Sequence, residues 1–156
     1  MAKPIPYGMH TATISLTVQD SSAAIDFYKK VFGAQELFRM PGPDGKTIMH
    51  AEVKIGDSII MLNDEFPKMN CRSPKSVGGT SSGIYLYVDD VDGTVKKAIE
   101  NGAKVQMPVM DMFWGDRMGN IEDPSGHMWS VATHIKNMTP EEMAKAGQEA
   151  MKNLPC

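Results

Sequence analysis

Between residues 11 and 18 apolar and polar side chains alternate, with Ile14, Leu16 and Val18 on one face and Thr13, Ser15 and Thr17 on the other, the period of a half-buried strand. A helix of about three turns follows, because Ala24, Ile25, Tyr28, Val31 and Phe32 recur at helical spacing. Asp20 or Ser21 can cap its start, and Gly33 supplies a left-handed stop. Residues 35–40 predict a second strand. PGPDGK then predicts a turn, since proline fixes φ while glycine permits positive φ. Alternation resumes over 47–55, placing Met49, Ala51, Val53 and Ile55 opposite His50, Glu52 and Lys54, and a turn at Gly56 and Asp57 leads into a strand over 58–63. The order to this point is βαβββ.

Residues 64–82, DEFPKMNCRSPKSVGGTSS, are rich in Pro, Gly, Ser and Lys without periodicity, which predicts a connection rather than an element. Then the pattern restarts. Residues 83–88 predict a strand, 91–101 a helix capped by Asp89 or Asp90 and stopped by Gly102, and 104–110, 118–123 and 128–133 three further strands, the last two around the DPSG turn. VQDSSAAIDFYKKVFGA and VDDVDGTVKKAIENGA align with one gap, and Gly56 matches Gly126 at a shift of 70, so the two halves form an internal repeat. TPEE is a capping box with proline at the first helical position, opening a helix over about 139–153 that lies outside the repeat.

Composition narrows the class. The 156 residues, 42% hydrophobic, suffice for one domain with a real core. Sixteen basic against nineteen acidic residues, with no basic run, argue against a nucleic-acid partner. No stretch approaches the roughly 18 to 20 apolar residues of a membrane span, and MAKPIPYGMH lacks the apolar core of a signal peptide, so the expectation is a cytoplasmic protein without a membrane partner. Cys71 and Cys156 lack metal or redox spacing and predict two free thiols. The 14 methionines bring soft, adaptable surface, suited either to core filling or to a tolerant binding site.

Tandem βαβββ units carrying IDFYKKVFGA, the SPKSVGGTSS connection, FWGDRMG, DPSGHMWSVATH and TPEEM resemble the vicinal oxygen chelate superfamily (glyoxalases, bleomycin-resistance proteins and dioxygenases), and within it the PhnB-like branch, over about residues 9–150. The resemblance implies an α+β fold of two tandem βαβββ modules forming a U-shaped mixed sheet, plus a C-terminal helix. Its parts would be a first module over about 9–64, a linker over 65–82, a second module over 83–135 and the helix, all in a single domain. It also implies a homodimer with a ligand cavity at the interface. In metalloenzymes of the superfamily, His and Glu ligands come from the first and last strand of each module. Those positions fall here on Thr13, on Ile60 or Met61, on Gly83 and on Ser130. None suits a divalent cation that wants imidazole nitrogen or carboxylate oxygen, so no metal or other cofactor is expected.

Positions 13 and 83 face the cavity in the implied fold, so Ser15, Thr17, Tyr85 and Tyr87 share that face by alternation. His50 and Glu52 lie about 7 Å apart on one face of their strand, either a solvated pair or the acid and base of a lyase or isomerase with an atypical site. Residues 110–120, MDMFWGDRMGN, gather the most ligand-like chemistry: Phe113 and Trp114 offer ring faces, Asp116 could meet a cationic group and Arg117 an anionic one. Alternatively Trp114 packs under the sheet and Asp116 pairs with Arg117. Trp129 reads as core, while His10, His127 and His134 read as exposed. Two functions compete. One is a non-metal protein that binds or sequesters a flat organic or drug-like molecule through Tyr85, Tyr87, Phe113, Trp114, Asp116 and Arg117; the other is the enzyme built on His50 and Glu52, and only under that alternative is a divalent metal expected. A domain acting only by protein contacts is a third.

Overall fold

The computed structural model describes residues 2–152, so Cys156 and Asn153, the last residue of the expected final helix, lie outside the described residues. The chain forms two compact units. One runs to Ser81 and takes in Asp123–His127; the other holds Ser82–Glu122 and the chain from Met128 onward.

In the first unit, strand β1 (Ile14–Val18) is followed by helix α1 (Ser21–Phe32) and strands β2 (Gln35–Pro41), β3 (Ile48–Ile55) and β4 (Ser58–Asp64). They form a mixed sheet in the order β1-β4-β3-β2, with β1 and β4 parallel and the other pairs antiparallel. β1 starts later than alternation suggests, because the Thr13 hydroxyl donates to the His10 carbonyl at 2.9 Å and holds that stretch in a local turn. Of the two candidate caps for α1, Asp20 is the one used, accepting from the Ala23 amide. The helix residues Ile25, Tyr28 and Val31 are buried, as are Val18, Val53 and Leu62 of the sheet. Asp64 ties helix to sheet, accepting from the Ser21 and Ile48 amides at 2.6 and 2.7 Å.

The expected structureless connection contains two short elements, a 3-10 turn (Pro67–Met69) and helix α2 (Pro74–Val77). Both begin at proline, whose fixed φ suits the first turn, and Ser73 caps α2 through its side chain. Cys71 is a free thiol in this stretch. No described helix is long and apolar enough to cross a membrane.

The second unit repeats the topology with β5 (Gly83–Tyr87), α3 (Val91–Glu100), β6 (Lys104–Asp111), β7 (Asp116–Glu122) and β8 (Met128–His134), in the order β5-β8-β7-β6, and ends on α4 (Pro140–Met151). Asp90, not Asp89, caps α3. Trp129, Val131 and Ile121 are fully buried with Val91 and Ala98 of the helix, so Trp129 is core. The α4 capping box is formed in both directions between Thr139 and Glu142. β7 begins two residues before the hydrophobic pattern announces it, so Asp116 and Arg117 are strand residues.

In the first unit the DPSG turn is anchored by a buried polar bond. The Tyr28 hydroxyl, wholly inaccessible, donates to Asp123 Oδ2 at 2.8 Å, while Asp123 Oδ1 accepts from the Ser125 and His127 amides. Burial first, and the Asp123 charge second, push the Tyr28 phenol well above its ordinary pKa, so it keeps its proton for Asp123. Tyr28→Phe should therefore cost about 1.5–3 kcal/mol, the usual range for a hydrogen bond to a charged group, measured by urea unfolding. A loss below a few tenths would show that the bond is not what secures the turn.

Candidate functional site

The second unit carries a cavity of about 660 Å³ lined by Tyr85, Tyr87, Phe113, Trp114, Asp116, His134 and Met143. Its geometry starts from the turn between β6 and β7. The Met112 amide donates to the Asp116 carbonyl at 2.7 Å, and the Gly115 carbonyl accepts from the Ile135 and Lys136 amides at 2.9 and 3.0 Å. Gly115 has φ +97°, and a Cβ there would lie 2.1 Å from the Lys136 carbonyl oxygen, so only glycine lets the two backbone segments close on each other. This closure seats Asp116 opposite His134, its ladder partner and the last residue of β8.

Asp116 is only 2% exposed. Its Oδ2 accepts from the Tyr85 hydroxyl at 2.8 Å, the Tyr87 hydroxyl at 3.1 Å and the Trp114 indole N–H at 3.1 Å. Its Oδ1 lies 2.8 Å from His134 Nδ1, and His134 Nε2 lies 2.9 Å from Asn137 Oδ1. An imidazole placed between two oxygen acceptors is satisfied when both nitrogens carry protons. The Asp116 bond, helped by Asn137, accordingly raises the His134 pKa above its ordinary 6.5. Burial pushes Asp116 upward, but the bonds from His134, Tyr85, Tyr87 and Trp114 together outweigh it and hold the carboxyl below 3.8. Tyr85 is pushed up to about 12, chiefly by desolvation and then by the Asp116 carboxylate, and Tyr87 shifts in the same direction for the same reasons.

The hydroxyls and the indole N–H turn inward, so the rings form the wall. Tyr85 and Tyr87 lie with centroids 5.1 Å apart and tilted by 48°, and Phe113 meets Trp114 edge to face at 4.9 Å. Helix α4 closes on Phe113 through Gly147, where a Cβ would come within 3.2 Å of the ring, and contributes Met143.

Of the residues singled out by sequence, Tyr85, Tyr87, Phe113, Trp114 and Asp116 therefore come together here. Arg117 does not. As the strand neighbour of Asp116 it leaves from the other face of β7, where Nε and Nη2 bond Asp92 at 2.8 Å each and Nη1 bonds Asp111 at 2.8 Å. The alternative pairing of Asp116 with Arg117 is thus replaced by the Tyr85, Tyr87, Trp114 and His134 set. His134, read from sequence as an exposed histidine, is half-exposed yet bonded through both nitrogens. It shares strand parity with Ser130 and Ala132, the one sequence signal that points it to the Tyr85 face. Met143 and Asn137 left no such signal.

His50 and Glu52, in the first unit, meet at 3.1 Å on β3, with the Phe38 ring 6.2 Å from the imidazole. The positions that hold metal in the resembled enzymes also resolve. Ile60 is buried in the core, and Met61 pairs with Glu52 and Ser15, so Met61 occupies the open face; Ser130 pairs with Tyr85 and Asn120. The Thr13 hydroxyl is committed to His10. Two hydroxyls, a thioether and a glycine do not make a donor set for a hard or borderline divalent cation. Among the described residues no group of three or more His, Cys, Asp or Glu is placed to hold one.

Comparison with known proteins agrees with this architecture. Residues 10–131 match the family model of the Glyoxalase/Bleomycin resistance protein/Dioxygenase superfamily. An uncharacterized protein of Mycobacterium bovis is 44% identical over 134 residues, covering 84% of this chain and 88% of its own. Among solved structures, TioX from Micromonospora sp. ML1 is similar with a TM-score of 0.60 and 28% identity, over 80% of this chain and 99% of that one. The PhnB protein from Bacillus cereus shares the fold with a TM-score of 0.62 at 16% identity, over 80% and 99% of the respective chains.

The charge pairing sets a pH window. A depressed Asp116 pKa stabilises the folded state above pH 3.8 and that contribution fades as pH falls through the folded value. A raised His134 pKa stabilises it below pH 6.5 and fades as pH rises through the folded value. Titration of His134 by NMR should therefore give a midpoint above 6.5 that drops in Asp116→Asn. The stability deficit of His134→Gln should likewise be largest between pH 3.8 and 6.5 and shrink on the alkaline side. A deficit that does not vary with pH would mean the two groups are not coupled.

Proposed function

The chain belongs to the Glyoxalase/Bleomycin resistance protein/Dioxygenase superfamily, and on that premise we propose that it is a cytoplasmic, homodimeric protein that binds or sequesters a flat organic molecule without a protein-held metal. The observation that carries this reading is the aromatic cavity of the second unit, where four rings stand around one buried carboxylate. Tyr85 and Tyr87 remain 45% and 61% exposed and Phe113 40%, so a ligand laid on them removes apolar surface from water that the described chain leaves open. The same open face supports a dimer whose second copy helps to enclose the ligand; a single-chain mass by light scattering at micromolar concentration would remove the dimer and leave the binding reading intact.

Affinity should rest on stacking. Trp114→Ala should weaken a stacked ligand by roughly thirtyfold, the loss of about 2 kcal/mol expected when an aromatic anchor is removed. Tyr87→Phe, which keeps its ring and loses only one of the donors to Asp116, should weaken it far less. The buried position and four partners of Asp116 make it unsuitable as a rim-charge control. Trp114 fluorescence reports binding against the constant signal of buried Trp129. If a library of flat compounds moves neither fluorescence nor melting temperature, the cavity is not a ligand site.

The contact between His50 and Glu52 supports the second reading, a lyase or isomerase with an atypical site. The two separate by metal. Added Zn²⁺, Ni²⁺ or Fe²⁺ should leave the melting temperature unchanged, because a cation bound only by the native state would raise it. Stoichiometric metal that disappears in His50→Gln or Glu52→Gln would favour the enzyme.

A further inference from the structure

We propose that the cavity of the second unit selects organic cations, a quaternary or tertiary ammonium carried on a flat apolar body, and that His134 tunes this selection with pH. The inference rests on the reading of that cavity as a ligand site and assigns the class of ligand. Three observations on the lining carry it.

Every side-chain donor among the described lining residues is already engaged inside the protein. The hydroxyls of Tyr85 and Tyr87, the indole N–H of Trp114 and Nδ1 of His134 are directed at Asp116, and Nε2 of His134 at Asn137. An anion entering the cavity would find no free donor and would meet the negative faces of the rings. What the lining does present outward is electron-rich: the ring faces and the Met143 thioether. A cation is the charge class these groups complement.

The basic group that could have reversed this preference is elsewhere. Arg117 is held by Asp92 and Asp111 on the opposite side of β7 and does not line the cavity. The fixed charges at the cavity are therefore the Asp116 carboxylate and the His134 imidazole.

His134 is the titrating member. It faces Asp116 of β7 and Asn137 of the segment after β8, and it shares an adjoining hollow with Tyr87, Val88, Asp89 and Thr133. Asp89 adds a second negative charge beside it. While the imidazole is protonated it offsets Asp116 and repels a cation; once it loses the proton, the carboxylate acts alone. Cation affinity should thus rise with pH through the titration of His134, the opposite of what an anion-binding histidine would give.

The test compares three probes with a common body: 4-(trimethylammonio)benzyl alcohol, its neutral isostere 4-tert-butylbenzyl alcohol, and 4-sulfobenzyl alcohol, titrated calorimetrically into the full chain with Trp114 emission followed in parallel. The cation should bind about tenfold more tightly than the neutral isostere, as cation–π attraction in a partly desolvated site allows, and the sulfonate should not bind. Its affinity should increase several-fold from about pH 6 to about pH 8.5, and His134→Gln should bind the cation more tightly than wild type at the lower pH and lose the dependence. Equal affinity of cation and isostere, or preference for the sulfonate, would overturn the charge assignment and leave a ligand site of another class. Absence of binding by all three would overturn both readings. Because the probes differ only in their head group, the comparison does not depend on any variant folding.

Discussion

A carboxylate taken out of water must be repaid in hydrogen bonds, and Asp116 is the place where this chain meets that demand. The penalty for an unpaired buried charge amounts to several kcal/mol, so the residue is tolerable only with partners on both oxygens. Four elements of the second unit supply them: β5 through Tyr85 and Tyr87, the turn before β7 through Trp114, β8 through His134, and the segment after it through Asn137 behind the imidazole. Each partner is a large side chain whose polar end is fixed by the bond. The orientation of the aromatic wall is thus a by-product of satisfying one buried charge, and Gly115 is required because no other residue would let the turn bring that charge beneath β8.

The two modules share topology and register but not this demand. Ser15 pairs with Met61 in the first sheet where Tyr85 pairs with Ser130 in the second, and Glu52 stands opposite Met61 where Asn120 stands opposite Ser130. Small hydroxyls replace the tyrosines, and the acidic residue lies on the open face beside His50 instead of under a layer of rings. The repeat therefore supplies two similar platforms, of which only the second has converted its open face into a structured aromatic surface. The first keeps a partly exposed contact between His50 and Glu52 that water can reach, and exposed contacts of this kind contribute little to stability.

Most of the scaffold was legible in the sequence because it follows from periodicity and punctuation. Alternation located β1 and β3, turn residues bounded the other strands, Asp20 or Ser21 and TPEE marked helix starts, and the repeat gave the number of modules. The site was legible in composition and obscure in direction. Asp116 and Arg117 are adjacent, so everything depends on whether they lie on a loop, where both can face a ligand, or on a strand, where they must part. Hydrophobic alternation does not decide it, since Gly119 and Asn120 blur the pattern in β7; the ladder between Asp116 and His134 does, and a ladder is a non-local fact. The same pairing brought in His134, whose role is invisible until its partner is known. Met143 enters from a helix outside the repeat, whose thin apolar stripe carries no indication of the surface it covers.

The protonation states argue for what such a surface can do. General acid–base catalysis near neutrality needs a group that exchanges its proton there. Tyr85 is driven up to about 12 and Tyr87 in the same direction, while Asp116 is driven below its ordinary range, so these three hold their protonation states across the physiological span. Only His134 is left to titrate, and both its nitrogens are engaged within the protein. The resemblance carries the superfamily metal positions onto Thr13, Met61, Gly83 and Ser130, none of which offers an imidazole or a carboxylate, and among the described residues no group of three or more His, Cys, Asp or Glu could hold a metal ion. The surface itself is electron-rich, with His134 as its titrating member, and recognition of a ligand is the function we propose for it.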